Sequence, residues 1–229
     1  MRVALLTTCL VDGLYPSVAE ATVRLLRRLD VEVDIPDEQT CCGQMHINSG
    51  HADLARPLVR RYAEVFGGYD AVVSPSGSCV GCVRHQHGGT DGDITSRTYE
   101  LSEFLIDVLE VDDVGARYPH RVAYHPTCHS LRLLRVGDRP TRLLRNVRDL
   151  ELVPLPQAES CCGFGGTFSV KNPDVSSAML ADKVRALSVS GADRCTAADA
   201  SCLMHIGGGL SRIDSDVRPV HLAEILAST

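Results

Sequence analysis

Short apolar runs alternate with longer amphipathic stretches along the whole chain. Val3-Ala4-Leu5-Leu6 is an apolar run that ends shortly before Cys9 and reads as a buried strand. Val18, Thr22, Leu25, Leu26 and Leu29 then recur at helical spacing. Val31-Glu32-Val33-Asp34-Ile35 alternates like a strand and leads toward Cys41. Leu54, Leu58, Tyr62, Val65 and Phe66 mark another helix, and Ala71-Val72-Val73 a third strand leading toward Cys79. Leu101, Phe104, Leu105, Val108 and Leu109 complete a last amphipathic helix. The order then begins again. Residues 121–124 read as a strand, 139–147 as a helix and 150–155 as a strand. Asn172-Pro173 opens a helix striped by Leu180, Val184 and Leu187, with Asn as cap and Pro in the first turn. Strands over 194–198 and 217–220 precede a final helix.

Strand–helix alternation predicts an α/β fold. Here it takes the form of two tandem repeats of a parallel, helix-covered, Rossmann-like sheet, related by pseudo-two-fold symmetry. The charged, Gly- and Pro-containing stretch from Asp112 to Pro119 marks the boundary, giving a first repeat at 1–116 and a second at 117–229. Gly88–Asp93 reads as a flexible loop within the first. The cysteines carry the same duplication at spacings of about 120 residues. Cys9 pairs with Cys128, Cys41-Cys42-Gly43 with Cys161-Cys162-Gly163, Cys82 with Cys202, and His85 with His205. On that register Asp199 stands where the first half has Cys79.

Composition narrows the chemistry. Ten cysteines in 229 residues are too few for a disulfide scaffold. Clustered cysteines in a reducing compartment point to metal binding or redox work. A net charge of −6 gives no basic surplus for nucleic acid, and no run is long enough for a membrane span. The N-terminus lacks the form of a signal peptide, so the expected location is the cytoplasm, with membrane association through partners.

Each candidate ligand follows a predicted strand, where sites form in parallel sheets. The first half reads C-x31-C-C-G-x35-C-x2-C through Cys9, Cys41, Cys42, Cys79 and Cys82. The second reads C-x32-C-C-G-x35-D-x2-C through Cys128, Cys161, Cys162, Asp199 and Cys202. Adjacent thiolates diverge, so they suit different irons of one cluster better than a single ion. Gly43 and Gly163 let the backbone pass close to a bulky cofactor. A zinc site in one half remains an alternative, since four thiolates close a tetrahedron. Asp199 either replaces a thiolate or caps the helix that starts there. His85 and His205, each three residues past a cysteine, and His125, just before Cys128, are read as packing or as hydrogen-bonding beside the site. Cys195 lies on a predicted strand without a partner and is read as core.

These motifs resemble the cysteine-rich CCG domain. That domain occurs twice in the B subunit of heterodisulfide reductase, in the iron–sulfur subunit of glycolate oxidase and in the lactate utilization protein A group. Residues 161–171, 201–206, 38–44 and 75–79 look most like the last group. The resemblance spans nearly the whole chain. It implies an iron–sulfur electron-transfer subunit of a multi-subunit system oxidising L-lactate or another 2-hydroxy acid. Such a chain is an oxidoreductase component, not a complete enzyme, and no catalytic residue is assigned. It implies a non-cubane [4Fe–4S] cluster on the five cysteines of the first half, with an iron–sulfur cluster or zinc in the second. The implied partners are a ferredoxin-type iron–sulfur protein and a flavin- or quinone-linked subunit. No dinucleotide fingerprint follows a strand, so the flavin or nicotinamide chemistry belongs to a neighbour. The alternatives are a heterodisulfide-reductase-like thiol–disulfide redox subunit and a zinc-stabilised, non-redox interaction module.

Overall fold

The computed structural model describes residues 1–88 and 93–229. The chain forms two four-stranded sheets, every pairing parallel. The first has the order β2-β1-β3-β4, with β1 Arg2–Leu5, β2 Glu32–Asp34, β3 Ala71–Ser74 and β4 Thr98–Glu100. The second has the same order in β6-β5-β7-β8, with β5 Arg121–Tyr124, β6 Glu151–Val153, β7 Arg194–Ala197 and β8 Arg218–His221. The predicted α/β architecture of two similar repeats is the one observed. β4 had no signal in the sequence: Thr98-Tyr99-Glu100 is three residues long and buries a carboxylate. The loop expected over Gly88–Asp93 falls mainly on residues 89–92, outside those described.

Long helices cover the sheets where the apolar stripes demand it. Pro16–Arg28 buries Val18, Ala21, Leu25 and Leu26, and Ala52–Phe66 buries Ala55, Tyr62 and Phe66. Pro173–Val189 starts at the expected Asn172-Pro173, but the Asn172 side chain makes no capping bond. The stripe from Leu101 to Leu109 begins as an α-turn and continues as a π-helix over Phe104–Val108.

The largest core does not respect the boundary between repeats. Leu5, Leu25 and Leu26 share one cluster with Val122, Leu143, Leu222 and Ile225. The packing is reciprocal. The closing helix Leu222–Ala227 lies on Pro16–Arg28, and the Leu101–Glu103 turn lies on Arg139–Arg145. Arg28 seals the first contact by donating to the carbonyls of Leu226, Ala227 and Ser228 at the end of the last helix.

A buried capping box follows β4 and β8, the last strand of each repeat. Glu100 accepts from Ser102 N at 2.9 Å, and His221 Nδ1 accepts from Ala223 N at 3.1 Å. His221 Nε2 donates across the lobes to Pro75 O at 3.0 Å. Burial drives the two groups in opposite senses, Glu100 up to about 7 and His221 down to about 4. Between pH 4.5 and 7 the unfolded chain therefore gives up its Glu100 proton before the folded one does. Stability from this group is complete below that window and is lost as pH rises through it. Urea unfolding at pH 5 and pH 8 should show Glu100→Gln gaining about 2–3 kcal/mol on the parent at the higher pH. An unchanged difference between the two pH values would remove Glu100 from the account.

Candidate metal centre

Every strand that leads into the site ends before a cysteine. After β1, Thr8 takes a positive φ of 69° and Cys9 opens a short helix. After β2 comes Cys41-Cys42-Gly43, with Gly43 at φ 83° and its N–H 3.4 Å from Cys41 Sγ. After β3, Ser76 caps the helix Gly77–Gln86 by accepting from Cys79 N. Gln39 locks the first two loops together. Its Oε1 accepts from Thr7 N at 2.9 Å, and its Nε2 donates to the carbonyls of Leu5 and Pro36. Cys42 and Cys79 bring their sulfurs within 3.3 Å. Cys82 lies one turn deeper, its thiol 3.5 Å from the Cys42 carbonyl.

The second lobe repeats the plan. Cys128 follows β5, Cys161-Cys162-Gly163 follows β6, and Cys202 lies in the first turn of Ala200–Arg212 after β7. Gly163 has φ 94°, and its N–H stands 3.4 Å from Cys161 Sγ. Lys183, 2% exposed, donates to the Gln157 and Ala158 carbonyls at 2.9 and 3.0 Å, bracing the loop that delivers Cys161.

The structure moves two sequence pairings, Cys82 with Cys202 and His85 with His205, by a helical turn. Ser76 and Asp199 are the equivalent N-caps, so Cys79 matches Cys202 and Cys82 matches His205. Asp199 therefore does not stand in for Cys79. Its Oδ2 accepts from Ser78 N at 2.9 Å and its Oδ1 from Ser201 Oγ at 2.8 Å, so it caps across the two lobes. The cysteine spacing of 120 is misleading because the stretch from Cys-Cys-Gly to the helix cap is three residues longer in the second lobe, residues 164–198 against 44–75.

The two sets of cysteines meet. Cys9, Cys41, Cys42 and Cys79 line one cavity of about 320 Å³ together with Cys128, Cys161, Cys162 and Cys202. Gln44 spans the lobes beside it, donating to Ser78 O at 3.0 Å and to His129 Nε2 at 3.1 Å. All ten cysteines are free thiols. Crowding makes them compete for protons. The thiols of Cys41, Cys79 and Cys82 all support charge on Cys42, holding it well below the usual thiol range while theirs rise. In the second lobe the Cys128 and Cys162 thiols do the same for Cys161. Cys9, the exposed sulfur of the set, is lowered to about 7 by the Cys41 thiol. Such a donor set fits iron, an iron–sulfur group or zinc, each of which converts competing thiols to thiolates.

Cys195 and the three histidines beside the motifs remain to be placed. Cys195 is fully buried among Leu187, Leu203 and Ile206, as core. His85 is exposed, and the structure does not bring it to the sulfurs. His87 does the work instead, its Nε2 2.8 Å from the Cys42 carbonyl. His205 sits beside the second Cys-Cys-Gly, with Nε2 3.3 Å from Ser176 Oγ and its ring against Phe164. His125 is the residue that sequence reasoning undervalued. Its ligand atoms and those of Cys162 and Cys202 lie within 4.8 Å of one another, the one such set among the described residues. Burial lowers its imidazole to about 4, so it is neutral near pH 7.

Comparison with known proteins fits this geometry. The model of the CCG cysteine-rich domain matches residues 3–84 and again 122–207. The chain belongs to the CCG cysteine-rich domain family. Within that family it is similar to lactate utilization protein A of Geobacillus kaustophilus (strain HTA426), 45% identical over 99% of this chain and 98% of that protein. It is likewise similar to lactate utilization protein A of an Exiguobacterium species, 47% identical over 98% of this chain and 96% of that one. Both CCG matches open at a first strand and close inside the helix that carries the last cysteine of each lobe, Cys82 and Cys202. Among solved structures, Picrophilus torridus aspartate racemase is 10% identical at a TM-score of 0.38, covering 99% of this chain and 90% of that one, a likeness too loose to bear on the site. Among the described residues no helix is long and apolar enough to cross a membrane.

Proposed function

We propose that this CCG protein is the iron–sulfur electron-transfer subunit of a multi-subunit system that oxidises L-lactate. The observation that carries the reading is the shared cavity, into which thiols from three strand ends of each lobe converge. Each repeat, 1–116 and 117–229, supplies one centre: Cys9, Cys41, Cys42, Cys79 and Cys82 hold the first, and Cys128, Cys161, Cys162 and Cys202 belong to the second. A [4Fe–4S] cluster of non-cubane type suits the five thiols of the first lobe. Two centres facing one cavity form a relay, and burial and hydrogen bonds to sulfur tune their potentials. Lactate oxidation releases two electrons, which a flavin or nicotinamide on a partner takes up first. The names of the relatives support the lactate assignment. Partner docking is supported at the cavity mouth, where Met45 is 55% and Val170 81% exposed. The chain works in the cytoplasm, and at the membrane only through its partners.

Anaerobic purification with iron, zinc and acid-labile sulfide analysis tests this. A brown protein with iron and sulfide, bleached by dithionite, is expected. A colourless protein holding zinc and no sulfide would replace the relay with a zinc-stabilised interaction module. One observation favours thiol–disulfide chemistry as a second reading: Cys9 is both exposed and lowered toward neutrality. In that reading an external donor supplies two electrons and two protons to convert a disulfide into two thiols. Turnover of a disulfide by the chain with dithionite alone would favour it over the relay.

A further inference from the structure

The two lobes are not chemically equal. In the first, the fifth sulfur near Cys42 comes from Cys82, on the second turn of Gly77–Gln86. In the second, that turn carries His205, which is only half-buried and is engaged by Ser176 and Phe164. No fifth thiol replaces it. The end of β5 supplies a different donor.

His125 is 1% exposed, and neither ring nitrogen makes a hydrogen bond of normal geometry, although the Ala158 carbonyl lies near enough to favour its proton. Its backbone is fixed, the N–H donating to Thr196 O at 2.8 Å. A buried imidazole with at most one weak backbone partner is costly, and native structures seldom leave such a ring nitrogen without an occupant. Its ring reaches the sulfurs of Cys162 and Cys202, all three ligand atoms within 4.8 Å. The corresponding residue of the first lobe is Leu6, which packs among Cys42, Cys79 and Cys82 and offers no donor. Where the first lobe has thiol plus leucine, the second has imidazole plus a diverted histidine. Bond lengths near 2.0–2.1 Å to nitrogen and 2.3 Å to sulfur place such a set around one metal after a small inward movement.

We propose that His125 is a nitrogen ligand of the second-lobe centre, making it a mixed thiolate–imidazole site with Cys162 and Cys202, while the first-lobe centre is all-thiolate. Neutral imidazole with thiolate suits zinc or a cluster iron. Replacing a thiolate by a neutral ligand removes one negative charge, so the second centre is the easier of the two to reduce if both hold iron. The inference rests on the reading that the cysteines bind metal.

The test is X-ray absorption at the edge of whichever metal, iron or zinc, the anaerobically purified full chain contains, alongside metal analysis of variants. A wild-type chain without metal fails the underlying reading. Metal surrounded by sulfur alone, with no imidazole scattering, leaves that reading intact and overturns this one. The expected result is imidazole scattering that survives in His205→Ala and in His129→Ala, each of which removes a histidine that already has a partner. Loss of the signal in either variant would overturn the proposal. His125→Ala is expected to lose the imidazole signal and weaken the second-lobe metal at least about tenfold, with the first-lobe metal retained. His125→Cys is expected to restore the metal with sulfur in place of nitrogen. Full metal and an unchanged spectrum in His125→Ala would sink the assignment. If His125→Ala fails to fold by circular dichroism, the wild-type and control spectra still decide.

Discussion

Cys42→Ser is expected to empty the first lobe of metal while Cys195→Ser leaves the metal content of the chain unchanged. Both are buried cysteines, so exposure does not separate them. Position does. Cys42 is the hub of its lobe: its sulfur lies 3.3 Å from that of Cys79, and the thiols of Cys41, Cys79 and Cys82 all support charge on it. A serine hydroxyl there is a poor ligand, protonated at neutral pH and too hard for a metal held otherwise by thiolates. Cys195 sits on β7 in an apolar setting, where burial pushes its thiol up to about 12 and keeps it neutral. Its replacement costs packing and no ligand. Metal binding is coupled to folding, so the Cys42→Ser chain should also melt at a lower temperature. Iron and zinc analysis of the two proteins after anaerobic purification is the measurement. Equal loss from both would refute the separation of ligands from core.

The second large effect is expected at Gly163. It holds φ at 94°, and a Cβ added there would lie 2.5 Å from the Ser176 carbonyl oxygen. That oxygen cannot yield easily, because Ser176 also donates its hydroxyl to the Gly163 carbonyl at 2.8 Å and anchors the helix Pro173–Val189 to the loop. Gly163→Ala therefore combines backbone strain with a clash against backbone, for a loss of about 3–5 kcal/mol. Gly50 is the control. Its φ is 83°, yet nothing lies within 4 Å of an added Cβ. Gly50→Ala should cost only the strain, about 1–2 kcal/mol. Urea unfolding of the two variants gives the difference directly. Equal losses would mean that the helix moves aside and that the close approach at Gly163 is not a constraint.

The strand–helix alternation was legible because each element writes its own burial into its residues. Val3 to Leu5 and Val72-Val73 are buried on both faces and read as unbroken apolar runs. Pro16–Arg28 buries one stripe and reads at helical spacing. The cysteine groups were legible for a related reason. Parallel sheets gather their strand ends at one edge, so a cysteine after each strand already forecasts convergence. β4 was not legible, since three residues carry too little pattern and Glu100 is polar.

The sequence by itself determined two α/β repeats and which thiols belong to each. Local periodicity and chain order suffice for both, because neither depends on where distant segments end up. Only the tertiary structure decided that the two sets share one cavity and that Cys79 matches Cys202. It also decided that Asp199 caps across the lobes and that His125, not His85, reaches sulfur. Each of these is a distance between residues far apart in the chain. Such distances follow from the reciprocal packing of the helices between the lobes and from loop lengths that set each helix one turn forward or back, and counting residues between cysteines measures neither.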